Sequence, residues 1–122
     1  MTSPAFLVGR LLNIADSLHL EYCRHVRNNS VPPQLVGNAL MATAQEEPVK
    51  ALSVLWGRIK PYHAWAQTLK DGEQVGLVRY FLKHLSDVST QLDAAQLPQH
   101  CTDADKAQML LGYLARLESD NN

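Results

Sequence analysis

Histidine and cysteine side chains are the first groups in this sequence that could do chemistry. His19 and Cys23 are four residues apart and share one face of a helix, with His25 nearby, so a metal site is conceivable. Cys101 follows His100, an arrangement that could activate a thiol. However, His25 lies on another side of the helix from Cys23, and no second ligand pair occurs at metal-site spacing. We therefore predict free thiols, no metal and no cofactor.

Acidic residues offer no catalytic constellation either. Asp103 and Asp105 fit the first turn of a helix, where carboxylates interact favourably with the helix dipole. Asp16 and Glu21 are five residues apart, and we predict that both are solvated. The sequence lacks a glycine-rich phosphate loop and the H-E-x-x-H and G-x-S-x-G motifs. The chain is therefore expected not to be an enzyme.

A more informative pattern combines aromatic rings with cations. Trp56, Tyr62 and Trp65 are close in sequence, and Arg58 and Lys60 accompany Trp56. Rings beside cations can stack on the bases of a single strand. The same rings can instead fill a helical core or a subunit interface, which is the commoner use of buried aromatic side chains. Both interpretations stay open from the sequence.

Two further basic pairs have helical spacing. Arg24 and Arg27 are three residues apart, and Arg79 and Lys83 are four apart. The two side chains of each pair can therefore lie on the same helix face and contact phosphates. Any single one of these cations can equally be a solvated surface charge. The candidate nucleic-acid-binding residues are Arg24, Arg27, Arg58, Lys60, Arg79 and Lys83.

Composition limits the classes of protein that fit. The chain has 122 residues, 46% of them apolar, which supports one domain with a real core. Its net charge of −1 excludes a histone-like basic protein. That total conceals a gradient, because residues 50–84 carry six basic and two acidic groups, whereas residues 85–122 carry two basic and six acidic groups. No signal peptide or membrane-spanning run is evident, and two cysteines suit a reducing, cytoplasmic location.

The elements that must position these groups are helices. Ser3 and Pro4 predict the start of the first helix, and Thr102 with Asp105 resembles a capping box at the start of the last. Pro61 should kink or divide the third helix. We predict an all-α fold, a compact helical bundle of about five helices with short loops, in which residues 1–117 form a single domain and 118–122 a flexible C-terminal tail.

Helical spacing also predicts the core. On the last helix, the leucine periodicity predicts a buried face. The residues expected there are Ala107, Leu110, Leu111, Leu114 and Leu117. Across the whole chain, the residues expected in the core include Leu11, Leu18, Leu55, Phe81, Leu85 and Leu110.

Two segments resemble a known family. Residues 5–12 (AFLVGRLL) are similar to the segment A-[FY]-L-L-G-R-L that opens the C-terminal helical region of the large subunit of type I-C CRISPR Cascade. Residues 97–100 (LPQH), 103–106 (DADK) and 110–113 (LLGY) resemble the ending F-P-x-H-L-[ST]-x-E-x-Q-x-x-F-x-[IL]-G-Y of that region. The resemblance therefore covers most of the chain.

The resemblance implies a non-catalytic small subunit of a type I Cascade, which can be produced from the 3′ part of the large-subunit gene. Such subunits lie in more than one copy along the filament of backbone subunits. They stabilise the R-loop through sequence-independent contacts to DNA, chiefly the displaced strand. The partners implied are the backbone, large and other Cascade subunits, a second copy of the chain, target DNA and, indirectly, guide RNA, with no membrane.

A different class of function fits the composition as well. A helical protein–protein adaptor with no nucleic-acid contact would naturally have a net charge near zero. The polarised charge distribution favours the Cascade hypothesis, and the near-neutral total favours the adaptor.

Overall fold

Five α-helices make up most of the described part of the chain. The computed structural model describes residues 3–26, 32, 34–70 and 73–115, without the side chains of 73–75. Within these ranges no strand occurs, so the predicted all-α bundle with short loops is confirmed. Arg27, Leu117 and the predicted tail at 118–122 lie outside the described residues. The helices are α1 (Pro4–Val26), α2 (Val36–Glu46), α3 (Pro48–Gln67), α4 (Glu73–Gln91) and α5 (Asp103–Leu114), with a 3-10 turn at Ala94–Gln96.

The predicted helix starts are confirmed. The amide of Phe6 donates to the hydroxyl of Ser3 at 3.2 Å, which caps α1. At α5, the Asp105 amide donates to the Thr102 hydroxyl at 3.1 Å, and the Thr102 amide donates to the Asp105 carboxylate at 3.0 Å. Both helices therefore begin where their own side chains satisfy the first free amides.

Pro61 does not divide α3. The helix runs without a break from Pro48 to Gln67, so the expected division into two helices does not occur. A proline removes the hydrogen bond to the carbonyl four residues earlier, which here belongs to Gly57. Both Pro61 and Gly57 are exposed, so water can satisfy that carbonyl and the helix can continue.

Helix α1 is the centre of the bundle. It packs against each of the other four helices, whereas α3 and α4 touch each other only marginally. Its core side chains are buried on several sides at once, which is why a single apolar stripe does not describe it. Those that are inaccessible to solvent are Val8, Leu11, Leu12 and Ile14.

Glycines set the closest helix contacts. A Cβ on Gly9 of α1 would overlap the backbone carbonyl of Met109 on α5, and one on Gly112 would overlap the carbonyl of Phe6. At the crossing of α1 with α2, a Cβ on Gly37 would overlap the carbonyl of Leu12. The backbones can approach this closely only because these positions have no side chain.

The glycine contact reverses the predicted orientation of α5. Met109 and Gly112 face α1 and are buried, whereas Leu110, Leu111 and Leu114 are 42%, 54% and 73% exposed. The predicted burial of Leu110, and of the described residues of the leucine face, was therefore wrong. Elsewhere the predicted core is confirmed for Leu11, Leu18, Leu55 and Leu85, and Phe81 is partly buried.

Charged residues of α1 cap the ends of neighbouring helices. Asp16 is 5% exposed, and its Oδ1 accepts the amides of Gly37 and Asn38 at 2.5 and 3.3 Å. Its Oδ2 accepts the Tyr113 hydroxyl at 2.5 Å. The α2 N-cap residue, Leu35, offers no side-chain bond of its own, so a carboxylate from another helix takes that place.

Two other α1 residues have similar roles. The buried Arg10 donates to the carbonyl of Ala115, at the C-terminal end of α5, over 3.0 Å. His19 Nδ1 accepts the amide of Val36, the first residue of α2, at 3.2 Å. The cation Arg10 thus faces the C-terminal end of α5, and the anion Asp16 faces the N-terminal end of α2, as the helix dipoles favour.

The prediction that Asp16 and Glu21 are solvated was wrong. Glu21 is 5% exposed and pairs with Arg24 at 2.8 Å and with His25 at 3.3 Å. Desolvation raises the pKa of Asp16, opposed by its hydrogen bonds from Tyr113, Gly37 and Asn38. Desolvation, together with the hydrogen bond to Asp16, raises the pKa of Tyr113 to about 12.

The glycine contact can be tested with a matched pair of substitutions. Gly9→Ala should lower the free energy of unfolding by about 1–3 kcal/mol, because its methyl group would overlap the α5 backbone. Gly57→Ala has open space around its Cβ and should instead raise stability by up to about 1 kcal/mol, since alanine is the better helix former. Urea unfolding of both variants measures this difference, and equal effects would contradict the proposed contact.

Tyr113 predicts a specific alkaline loss of stability. The folded state holds the phenol proton more tightly, because its pKa is about 12 against an ordinary value of 10. The resulting stabilisation is complete below pH 10 and is lost as the pH rises through 12. The difference in unfolding free energy between the wild type and Tyr113→Phe should therefore shrink over that interval. Asp16→Asn should weaken the effect, whereas parallel pH curves for wild type and Tyr113→Phe would contradict it.

Candidate nucleic-acid interface

An open groove separates α3 from α4. Its volume is about 540 Å³, and its exposed surface is mainly apolar. It exists because both helices pack on α1 and hardly on each other. The residues that line it are Trp56, Ile59, Lys60, His63, Ala64, Leu82, Leu85, Ser86 and Ser89.

The groove carries positive charge along one side. Lys60 lines it directly and is exposed, as is His63 one turn later. No acidic side chain is among the described residues that line it. On α4, helical geometry places Arg79 about 70° and Lys83 about 110° from the middle of the groove-lining face. Both are exposed, and neither is among the residues that line the groove.

Some groove residues were missed from the sequence. His63 lies seven residues after Trp56, and Lys60 lies four after it, so all three share one helix face. That spacing could have identified His63. Ser86 and Leu82 could not have been found in the same way, because only the packing of α4 on α1 brings them opposite Trp56.

The structure separates Arg58 from Lys60. The two are two residues apart and therefore point about 160° away from each other on α3. Arg58 lines a second groove, together with His19, Val36 and Tyr62. There the amide of Val36 is already bonded to His19, so it is not available to an anion. The two predicted cations thus belong to different surfaces.

Arg24, the described member of the remaining predicted pair, does not line the α3–α4 groove. Arg24 is exposed but lies 2.8 Å from the buried carboxylate of Glu21, which offsets its charge. Arg27 is outside the described residues. Of the six predicted residues, Lys60 is among those that line the α3–α4 groove, and Arg79 and Lys83 are exposed on α4 outside its lining.

The aromatic group is also divided. Tyr62 stacks on His19 with 4.6 Å between ring centroids and 12° between planes, and Trp65 meets Tyr22 edge-on at 5.6 Å. These two rings pack against α1, as the core interpretation requires. Trp56 is half-buried on the other side of α3 and lines the groove, where part of its ring is accessible.

The histidine and cysteine side chains are not gathered into a reactive site. Cys23 is buried, and Cys101 lies 3.8 Å from the carbonyl of Ala44; neither forms a disulfide. Burial, with a smaller contribution from Asp105, raises the pKa of the Cys101 thiol, which disfavours the nucleophilic thiolate. In the part of the chain that is described, no three metal-ligating side chains come together.

Comparisons with known proteins give no relative. No protein-family model matches this chain, and no curated protein and no solved structure is significantly similar to it. None of the described helices is long and apolar enough to cross a membrane.

Proposed function

We propose that this protein is a non-catalytic small subunit of a CRISPR RNA-guided surveillance complex, a Cascade of type I. In this role it packs along the filament of backbone subunits, beside the large subunit and a second copy of itself. It stabilises the R-loop by sequence-independent contacts to DNA, chiefly the displaced strand, and meets guide RNA only indirectly. The observation that carries the proposal is the α3–α4 groove, where Trp56 and Lys60 lie side by side and no acidic side chain is among the described lining residues.

The groove supplies both parts of a sequence-independent single-strand site. Trp56 offers a face on which any base can stack, since every base has a π-face. Lys60 lies one turn away on the same helix, and Arg79 and Lys83 on α4 can meet phosphates along the groove. Neither kind of contact distinguishes the base edges, so the affinity for a single strand does not depend on its base sequence.

A few such contacts suffice in an R-loop. The RNA–DNA heteroduplex is about as stable as the DNA duplex that it replaces. A small stabilisation of the displaced strand therefore shifts the equilibrium towards the R-loop. A single copy has few contacts, and its net charge of −1 gives no long-range attraction to DNA. The free chain should therefore bind single strands weakly, and affinity should rise when copies are held side by side in an assembly.

The adaptor hypothesis has one observation in its favour. Leu111 and Leu114 are exposed on α5, and exposed apolar surface commonly marks a protein interface. A pure adaptor would use this face and would have no use for the cations of the groove. Substitutions in the groove therefore distinguish the two functions.

Lys60 and Arg58 form a matched pair for testing the groove. Lys60→Gln should lower the affinity of the free chain for an oligothymidine and reduce the salt slope by about 0.7, as expected for one lost phosphate contact. Arg58→Gln removes the same charge two residues away, on the opposite face, and should change neither quantity. Equal effects of the two would contradict the groove as the site. Fluorescence anisotropy over a range of salt concentrations measures both.

Trp56 tests the stacking contact independently of charge. Trp56→Leu should weaken oligothymidine binding by about 1–3 kcal/mol per stacked base, with an unchanged salt slope. Trp65→Leu removes the other indole, which packs on α1, and serves as the control. Circular dichroism establishes that both variants are folded. Retained affinity in Trp56→Leu would show that the indole has no role in binding.

In the assembled complex, the test is the lifetime of the R-loop. Omitting this subunit should shorten it, and Arg79→Gln with Lys83→Gln should reproduce part of that loss, most clearly at low salt, because salt weakens the phosphate contacts of the wild type more than those of the variant. Lys50→Gln with Lys106→Gln removes the same charge where each lysine already faces a glutamate, and should have little effect. An unchanged lifetime without the subunit would overturn the proposed function.

A further inference from the structure

Two carboxylates on α1 are buried to the same extent but differ in their charged partners. Asp16 and Glu21 are each 5% exposed. Glu21 has two basic partners, Arg24 at 2.8 Å and His25 at 3.3 Å. No lysine or arginine pairs with Asp16 among the described residues. Buried carboxylates are rarely left without a cation, so Asp16 is the one that lacks a counterion.

The hydrogen bonds of Asp16 replace water but supply no full positive charge. Its carboxylate accepts two backbone amides at the start of α2 and the hydroxyl of Tyr113. His19 acts on it electrostatically, but His19 Nδ1 accepts the amide of Val36, and a ring nitrogen that accepts carries no proton. In the described part of the chain, Oδ2 of Asp16 has a single donor, so it can accept a second hydrogen bond.

A pocket opens onto this carboxylate where the C-terminal end of α5 meets α1 and the residue before α2. Its volume is about 320 Å³, which suits a small ligand. The buried cation Arg10 donates to the Ala115 carbonyl and does not line the pocket, and no other basic side chain is among its described lining residues. The apolar walls of the pocket are Leu20, Leu35 and Leu114.

The polar lining consists of hydrogen-bond acceptors. Asn13 and Ser17, one turn apart on α1, line the pocket together with Asp16. The Asn13 side chain offers a carbonyl oxygen, and the Ser17 hydroxyl, which donates to the Asn13 backbone carbonyl at 3.2 Å, keeps its lone pairs. With the free lone pair of Asp16, these acceptors match the three N–H donors of an ammonium group. A single carboxylate among the described lining residues is too few for a divalent metal.

We propose that this pocket binds a primary alkylammonium group, whose charge pairs with Asp16 and whose alkyl chain lies between the three leucines. Free polyamines and the lysine side chains of partner proteins share this chemistry. The pocket has no lining residue in common with the α3–α4 groove. The ammonium site and the proposed nucleic-acid site can therefore succeed or fail independently.

Titration of the free chain with butylamine, without nucleic acid, tests the pocket by heteronuclear NMR. The amides of Gly37 and Asn38 donate to Asp16 and should shift saturably as the ammonium binds. Butanol has the same alkyl chain without the charge and should bind at least about tenfold more weakly, because a hydrogen bond to a charged group is the stronger kind.

The same spectra contain an internal control. The carboxylate of Asp105 also accepts an amide at the start of a helix, that of Thr102, but it lies outside this pocket. The Thr102 amide should hardly shift with butylamine. Equal shifts at Thr102 and Gly37 would mean that the amine pairs with any carboxylate, and would overturn the proposal.

Two substitutions of Leu20 separate the pocket from the fold. Leu20→Lys places an ammonium four residues after Asp16 on the same helix face, where it occupies the site from within and should abolish saturable binding of butylamine. Leu20→Met keeps an apolar wall and should bind like the wild type. Asp16→Asn keeps an acceptor for the α2 amides and should lose at least about tenfold in affinity, with circular dichroism to establish folding. Undiminished binding by Leu20→Lys, or no saturable binding by the wild type, would contradict the proposal.

Competition against butylamine distinguishes the two sources of the ammonium group. The competitors are spermidine and an acetylated lysine amide, in which only the side chain carries an ammonium. Stronger displacement by spermidine would support a free polyamine as the occupant, and stronger displacement by the lysine derivative would support a lysine of a partner protein. Displacement by neither would overturn the proposed site.

Discussion

The buried carboxylate of Asp16 holds three helices in one arrangement. It accepts the first amides of α2 through one oxygen and the Tyr113 hydroxyl of α5 through the other. A buried charge is tolerated only where hydrogen bonds replace the lost water, and here the N-terminal end of a helix supplies them. Because α2 has no side-chain cap of its own, its position follows from Asp16 on α1.

The groove between α3 and α4 follows from the same arrangement. With α1 in the centre, α2 and α5 are fixed by polar contacts and by glycine crossings, and α3 and α4 fill the remaining sides without closing on each other. The gap leaves Trp56 half-exposed beside Lys60. The open groove is thus a result of how the core is packed.

The candidate site was only partly predictable from the sequence. Cations and aromatic rings pointed to a region of the chain that includes part of the groove, but adjacency in sequence grouped Arg58 with Lys60 and Trp56 with Tyr62. A helix turns by about 100° per residue, so residues two or six positions apart face different neighbours. The structure accordingly assigns Lys60 and Trp56 to the α3–α4 groove, and Arg58 and Tyr62 to the α1 side of α3.

The sequence by itself determined the helices, including the capping box at Thr102 and the cap at Ser3, because these depend on contacts within a few residues. It did not determine which face of α5 is buried. Leucine periodicity favoured one face, but Gly9 and Gly112 allow the backbones of α1 and α5 to approach on the other. Only the tertiary structure decides this, since the gain from close backbone packing depends on two segments about a hundred residues apart.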